Sequence, residues 1–194
     1  MRFAHSSIAA VVAALVVVTA HSQAAATAAP LAVTEERNSA AVYALSEAQF
    51  MSSILITCAK LDASAEGRSR AAWDAWRSRN WPYVDASMGW VEYLRAAVAT
   101  RQGQEAASII EPTILANVNS NALKQLNAFL PDGKPEAEVC NRWIELASDP
   151  VSDVRNQRQF GGELEAILAF HRALIERAQP PQESQPLPAT PSGQ

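Results

Sequence analysis

Apolar residues recur every three or four positions through most of the chain, and this spacing constrains the fold more than any other feature. Over residues 34–61 it places one apolar stripe on a helix, formed by Val42, Leu45, Ala48, Met51, Leu55, Cys58 and Leu61. Thr34 is suited to cap that helix, and Glu35 and Glu36 follow in the first turn, where the helix dipole favours acidic side chains. The spacing therefore predicts a first helix over residues 34–61.

A second stripe runs over residues 65–100 and includes the segment AAWDAWRSRNWPYVD. At about 100° per residue, one helix face collects Trp73, Trp76, Asn80, Tyr83, Val84, Val91, Leu94 and Val98. Trp81 and Trp90 fall on the flanks of this face. Pro82 cannot donate a hydrogen bond to the carbonyl of Ser78 and crowds it. Because the stripe keeps its phase across Pro82, the sequence predicts one kinked helix; the alternative is a left-handed helix end at Asn80.

Three further helical segments follow. In residues 102–130 the helical pattern is weak at first and becomes clear from Pro112, which is expected at the first helical position. Residues 136–147 are predicted to form a short helix. Asp149 and Pro150 are typical of a helix start, so a last helix is predicted to run to about residue 178, with Gly161 and Gly162 marking a break or a close contact in it. The sequence therefore predicts an all-α, single-domain antiparallel helical bundle of four to five helices over residues 33–178.

The two ends of the chain have different compositions. Residues 1–24 combine Arg2, an apolar run that is shorter than the roughly 20 residues of a membrane-spanning helix, and small residues near position 24. This pattern is typical of a cleaved secretory signal peptide, so we expect a periplasmic or secreted protein with no membrane span in the mature chain. Residues 179–194 are rich in proline and poor in apolar side chains, which predicts a disordered tail.

The sequence contains two cysteines, Cys58 and Cys140, and both lie on apolar stripes. In an oxidising compartment two such residues are expected to form one disulfide. Two separate buried thiols are the alternative. A redox role is disfavoured because the cysteines do not form a Cys-x-x-Cys pair.

The sequence lacks the residues that several kinds of function require. The sequence has 16 basic against 20 acidic residues, so no basic surplus favours binding to nucleic acid. After removal of the signal peptide His171 is the single histidine, and we expect no metal site and no cofactor. The alternatives are haem held by His171 with Met51 or Met88, and a hydrolase that uses His171. We expect His171 to be a core residue and the protein not to be an enzyme.

Arginine and tryptophan cluster on the second predicted helix. Exposed tryptophan beside arginine is typical of protein-binding surfaces, and arginine can stack on the indole ring. The candidate binding surface consists of Arg77, Arg79, Asn80, Trp81, Tyr83 and Trp90, with Trp81 and Trp90 expected to be exposed. Trp73 and Trp76, in contrast, are expected to fill the core, with the arginines on the opposite, solvated face of the helix.

The sequence therefore favours a non-catalytic helical protein that docks a protein partner, such as a toxin that it neutralises or a component of the cell envelope. A small-ligand or haem-binding bundle with a pocket between helices is the second hypothesis. An enzyme is the third.

Overall fold

The computed structural model describes residues 31–179, so the predicted signal peptide and nearly all of the predicted tail lie outside the described residues. The described part contains helices and no strand, which confirms the all-α prediction. Its elements are α1 (Glu35–Cys58), α2 (Ala63–Gln102), α3 (Gln104–Ser108), α4 (Ile110–Phe129), α5 (Ala137–Ser148) and α6 (Gly161–Ala178), with two 3-10 turns at Pro150–Ser152 and Val154–Asn156.

The helix α1 begins where the sequence predicts. The hydroxyl of Thr34 accepts a hydrogen bond from the backbone N–H of Arg37 at 3.2 Å, which caps the first turn. By length and composition α1 could cross a membrane, but 50% of its most apolar window is buried inside the fold. The core helix of a soluble protein has the same properties, so we assign α1 to the core.

The helix α2 continues through Pro82, so the prediction of one helix rather than two is confirmed. Asp62 caps its start by accepting from the N–H of Ala65 at 2.8 Å, and Gly103, at φ 92°, ends it. Ser78 and Pro82 are both exposed, so water can reach the backbone where the proline removes a hydrogen bond. No residue other than glycine in the described range has a positive φ, which excludes the left-handed end at Asn80.

The helices form a bundle in which consecutive long helices are antiparallel. The indole N–H of Trp90 in α2 reaches Asn38 near the start of α1, whereas the start of α2 lies beside the end of α1. Gln125 bonds Glu47 and Phe129 packs near Phe50, so α4 runs in the same direction as α1. The helix α4 packs mainly on α1, and α5 and α6 pack one after the other along α2.

The disulfide between Cys58 and Cys140 is present, with a distance of 5.3 Å between the two Cα atoms. It joins the last residue of α1 to the first turns of α5, and both cysteines are fully buried. Next to it, Trp143 of α5 packs edge-on against Phe50 of α1 and Phe129 of α4. The bridge and this aromatic contact hold three helices together at one end of the bundle.

The prediction of a last helix from Pro150 is wrong. Asp149 does cap a turn, accepting from the N–H of Val151 at 2.8 Å, but only 3-10 turns follow. Asp153 is extended there, at φ −66° and ψ 135°, because its side chain bonds α2, as described below. The helix α6 begins at Gly161 instead, where a Cβ atom would overlap the carbonyl oxygen of Arg155. Pro112 is the third residue of α4, not the first.

Candidate functional site

Three residues of the predicted binding surface are buried. Trp90 is 1% exposed, Asn80 is 0% exposed and Tyr83 is 7% exposed. The expectation that Trp90 is an exposed contact is therefore wrong. Its ring packs against Tyr93 and Phe170, and its N–H donates to Asn38 Oδ1 at 3.0 Å. Trp90 holds α2 against α1 and α6.

A group of polar side chains, which we call the Arg79–Asp153 clamp, fixes the connector between α5 and α6. It consists of Arg79, Asn80 and Asp153. Asp153 Oδ1 accepts from Arg79 Nε at 2.7 Å and from Asn80 Nδ2 at 3.2 Å. Asn80 Oδ1 accepts from the buried N–H of Val154 at 2.8 Å. The amide of Asn80 and the carboxylate of Asp153 therefore stabilise the fold by holding the connector between α5 and α6 against α2.

The Nη2 group of Arg79 caps the end of α5. Its guanidinium donates to the carbonyl oxygens of Ala147 at 2.8 Å and Asp149 at 3.2 Å, at the end of that helix. A cation in this position satisfies carbonyls that lack helical partners and interacts favourably with the helix dipole. Arg79 is thereby committed within the chain and is not free to bind a partner.

Tyr83 is also committed within the chain. Its hydroxyl donates to Glu165 Oε1 on α6 at 2.5 Å. Burial, and then this hydrogen bond, raise the pKa of Tyr83, so the phenol stays protonated. The contact joins α2 to α6.

Of the predicted surface, Arg77 and Trp81 remain accessible. Trp81 is 42% exposed, and the guanidinium carbon of Arg77 lies 4.9 Å from the centre of its ring. This is a cation–π pair one turn apart on α2. Asn80, Tyr83 and Trp90 are buried, and Arg79 is partly exposed but held in the Arg79–Asp153 clamp.

His171 lies on α6 against α2. Its imidazole sits so close to Gly89 that a Cβ atom there would be 2.5 Å from Cδ2, and Nδ1 is 4.0 Å from Asp85 Oδ2. Met51, one proposed haem ligand, is 1% exposed in the core. Within residues 31–179 no group of three or more histidine, cysteine or acidic side chains could hold a metal ion.

An open cavity of about 960 Å³ lies between α1 and α4, and we call it the α1–α4 cleft. Its apolar walls come from both helices, from the end of α2 and from Phe160, which stacks on Tyr43 with ring centres 4.9 Å apart. At its mouth Ile109 is 62% exposed. Val118 and Ala122 are the buried residues of α4, whereas Ile110 and Ile114, which line the cleft, are only partly buried, so the cleft leaves part of the inner face of α4 open.

One wall of the cleft is polar. Asn117, Asn121 and Gln125 lie on the same face of α4, one turn apart, and all three line the cleft. We call them the amide row. Gln125 donates from Nε2 to Glu47 at 3.0 Å, at the end of the cleft where the two helices meet.

Neutral groups dominate the chemistry of the cleft. Glu35 and Lys124 are the two charged residues among its described lining. Burial, and then the neighbouring Glu47, raise the pKa of Tyr43, so this phenol remains neutral. Burial also raises the pKa of Glu47, and the hydrogen bond from Gln125 opposes that shift. The cleft is suited to an uncharged occupant.

A second cavity of about 330 Å³ lies between the end of α1 and the start of α2. Trp73 and the exposed Ile56 line it, together with Ser69, whose buried hydroxyl has no hydrogen-bond partner among the described residues. It is about a third of the volume of the α1–α4 cleft.

Comparisons with known proteins do not assign either cavity. No family model matches the chain, and neither a curated protein nor a solved structure matches it. The function is therefore inferred from the residues that line the α1–α4 cleft.

Proposed function

We propose that the protein is an exported, non-catalytic binding protein that holds an apolar occupant in the α1–α4 cleft. The observation that carries the proposal is the cleft itself, whose volume of about 960 Å³ is at the upper end of the range typical of ligand sites. Apolar walls with a few polar groups along one side are also typical of such sites.

The composition of the lining favours binding over catalysis. General acid–base catalysis requires a positioned side chain that changes protonation state near the working pH. The described lining contains Glu35, Tyr43 and Lys124 as its titratable groups, with no histidine, cysteine or aspartate. Because burial keeps Tyr43 protonated, the walls offer no matched acid and base facing each other.

Two features of the chain support export. The first 24 residues have the pattern of a signal peptide. The Cys58–Cys140 disulfide is of the kind that persists in oxidising compartments. An exported binding protein of this kind would meet its partner in the periplasm or outside the cell.

Binding in the cleft can be measured with N-phenyl-1-naphthylamine, a neutral dye that fluoresces in apolar surroundings. We expect saturable, one-to-one binding to the wild-type protein. Ser39→Arg should weaken it at least tenfold, because Ser39 is exposed on the α1 wall and an arginine there puts a charge against the apolar dye.

The matched control is Ser120→Arg, which places the same charge on an exposed position of α4 outside the cleft lining. This variant should bind the dye as the wild type does. Absence of saturable binding by the wild type, or equal affinities of the two arginine variants, would contradict the proposal.

A further inference from the structure

We infer that the occupant of the α1–α4 cleft is an extended, uncharged segment of another polypeptide, whose backbone is read by the amide row of Asn117, Asn121 and Gln125. This inference rests on the proposed function of the cleft. It adds the class of partner and the groups that recognise it.

The spacing of the amide row matches an extended chain. Residues four apart on a helix are separated by a rise of about 6 Å. An extended chain repeats its backbone groups on one edge every second residue, at about 6.6 Å. Over the three amides the mismatch is about 1 Å, which flexible Asn and Gln side chains can absorb. Successive members of the row can therefore face successive backbone groups on one edge of a strand.

The amides have the hydrogen-bonding capacity that such a backbone needs. A side-chain amide has both a donor and an acceptor, as does each peptide unit. Asn117 and Asn121 are exposed, and neither has a side-chain hydrogen bond to any residue in the described part of the chain. Gln125 uses its nitrogen on Glu47, which leaves its oxygen to accept from a backbone N–H.

The dimensions and charges define the segment. The α4 wall from Ile110 to Gln125 rises about 22 Å, the length of about six or seven extended residues. Lys124 lies towards one end of the cleft and Glu35 towards the other, since α1 and α4 run in the same direction. The stretch between them has no charged wall, so the central residues of the segment are uncharged, with alternate side chains on the apolar wall.

Two other occupants make poorer use of these walls. A helix laid in the cleft would have its backbone groups already paired internally, so the amide row would have nothing in its backbone to bond. A lipid-like molecule would contact the apolar walls and leave the amides to water. An extended segment uses both walls, as in other modes of peptide recognition in which backbone bonds give affinity and alternate side chains give specificity.

The test compares two probes on the same protein. One is N-phenyl-1-naphthylamine, and the other is a blocked, fluorescein-labelled octapeptide in which valine alternates with serine. The variant Asn117→Leu/Asn121→Leu removes two amides and keeps the number and branching of the side-chain heavy atoms. Fluorescence anisotropy should show peptide affinity falling at least tenfold, whereas dye affinity should not fall, because the two leucines add apolar surface to the lining.

The control is Asn119→Leu/Asn127→Leu, which makes the same change at two exposed positions of α4 outside the cleft lining. It should bind both probes as the wild type does. Dye binding without peptide binding by the wild type, or equal peptide affinities for the two double variants, would overturn the inference and leave the proposed function standing. If the wild type binds neither probe, both the inference and the proposed function are overturned.

Discussion

Replacing Cys58 and Cys140 together by alanine should lower the free energy of unfolding by about 4 kcal/mol. The two residues are 82 positions apart, and the disulfide restricts the unfolded chain by closing that long loop. The loss is a large part of the total stability of an ordinary domain. Urea denaturation of the wild type and the double variant, followed by circular dichroism, measures it.

Reduction provides the control for that experiment. Dithiothreitol should lower the stability of the wild type towards that of the double variant and leave the double variant unchanged. A double variant as stable as the oxidised wild type would show that the bridge contributes nothing. That result would remove the cross-link between α1 and α5 from any explanation of how the bundle is held together.

Asp153→Ala should destabilise the protein by about 2–4 kcal/mol, less than the loss of one partner from a fully buried ion pair, because the Arg79 side chain is 24% exposed and keeps its bond to the Ala147 carbonyl. The Asp153 side chain is 2% exposed, and its loss leaves Arg79 without its carboxylate and Asn80 without one acceptor. The connector between α5 and α6 would lose its attachment to α2. Thermal or urea unfolding measures the change.

Asp132→Ala is the matched control, because Asp132 lies exposed in the connector between α4 and α5. Its effect should stay within about 0.5 kcal/mol. A double-mutant cycle with Arg79→Ala then isolates the coupling between the two charges. A cost for Asp153→Ala no greater than that for Asp132→Ala would contradict the structural role of the clamp.

The regular helices were predictable because their signals are local. The hydroxyl of Thr34 caps α1 by accepting from the N–H of Arg37, three residues later in the chain. The apolar stripe of α2 keeps its phase across Pro82. The conformation after Pro150 could not be predicted in this way, because it depends on contacts with residues of α2 that are more than 70 positions away in the chain. Those contacts hold the backbone of Asp153 extended, and the last helix therefore begins only at Gly161.

The exposure of α2 was misjudged for a related reason. A stripe about 100° wide describes a helix packed on one side, whereas α2 packs on α1, α4, α5 and α6. Its buried arc is therefore wide enough to include Trp90, which lies at the flank of the stripe. The partners of a helix, which its own periodicity does not reveal, set the width of its buried face.

The α1–α4 cleft was missed because periodicity shows which residues face inward but not whether two faces meet. Asn117 and Asn121 were not among the predicted site residues, and both are exposed in the structure. Their spacing of four residues, continued by Gln125, was the available signal. Only the placement of α4 relative to α1 shows that this face borders a cavity.

The most direct test of the binding site is a map of amide chemical shifts by nuclear magnetic resonance. Titration of the isotopically labelled protein with the octapeptide should perturb residues on both walls of the cleft, including Val42, Ile114 and Asn121, and leave Arg77 and Trp81 unchanged. Perturbations centred on Arg77 and Trp81, with the cleft residues unmoved, would contradict the assignment of the cleft as the binding site.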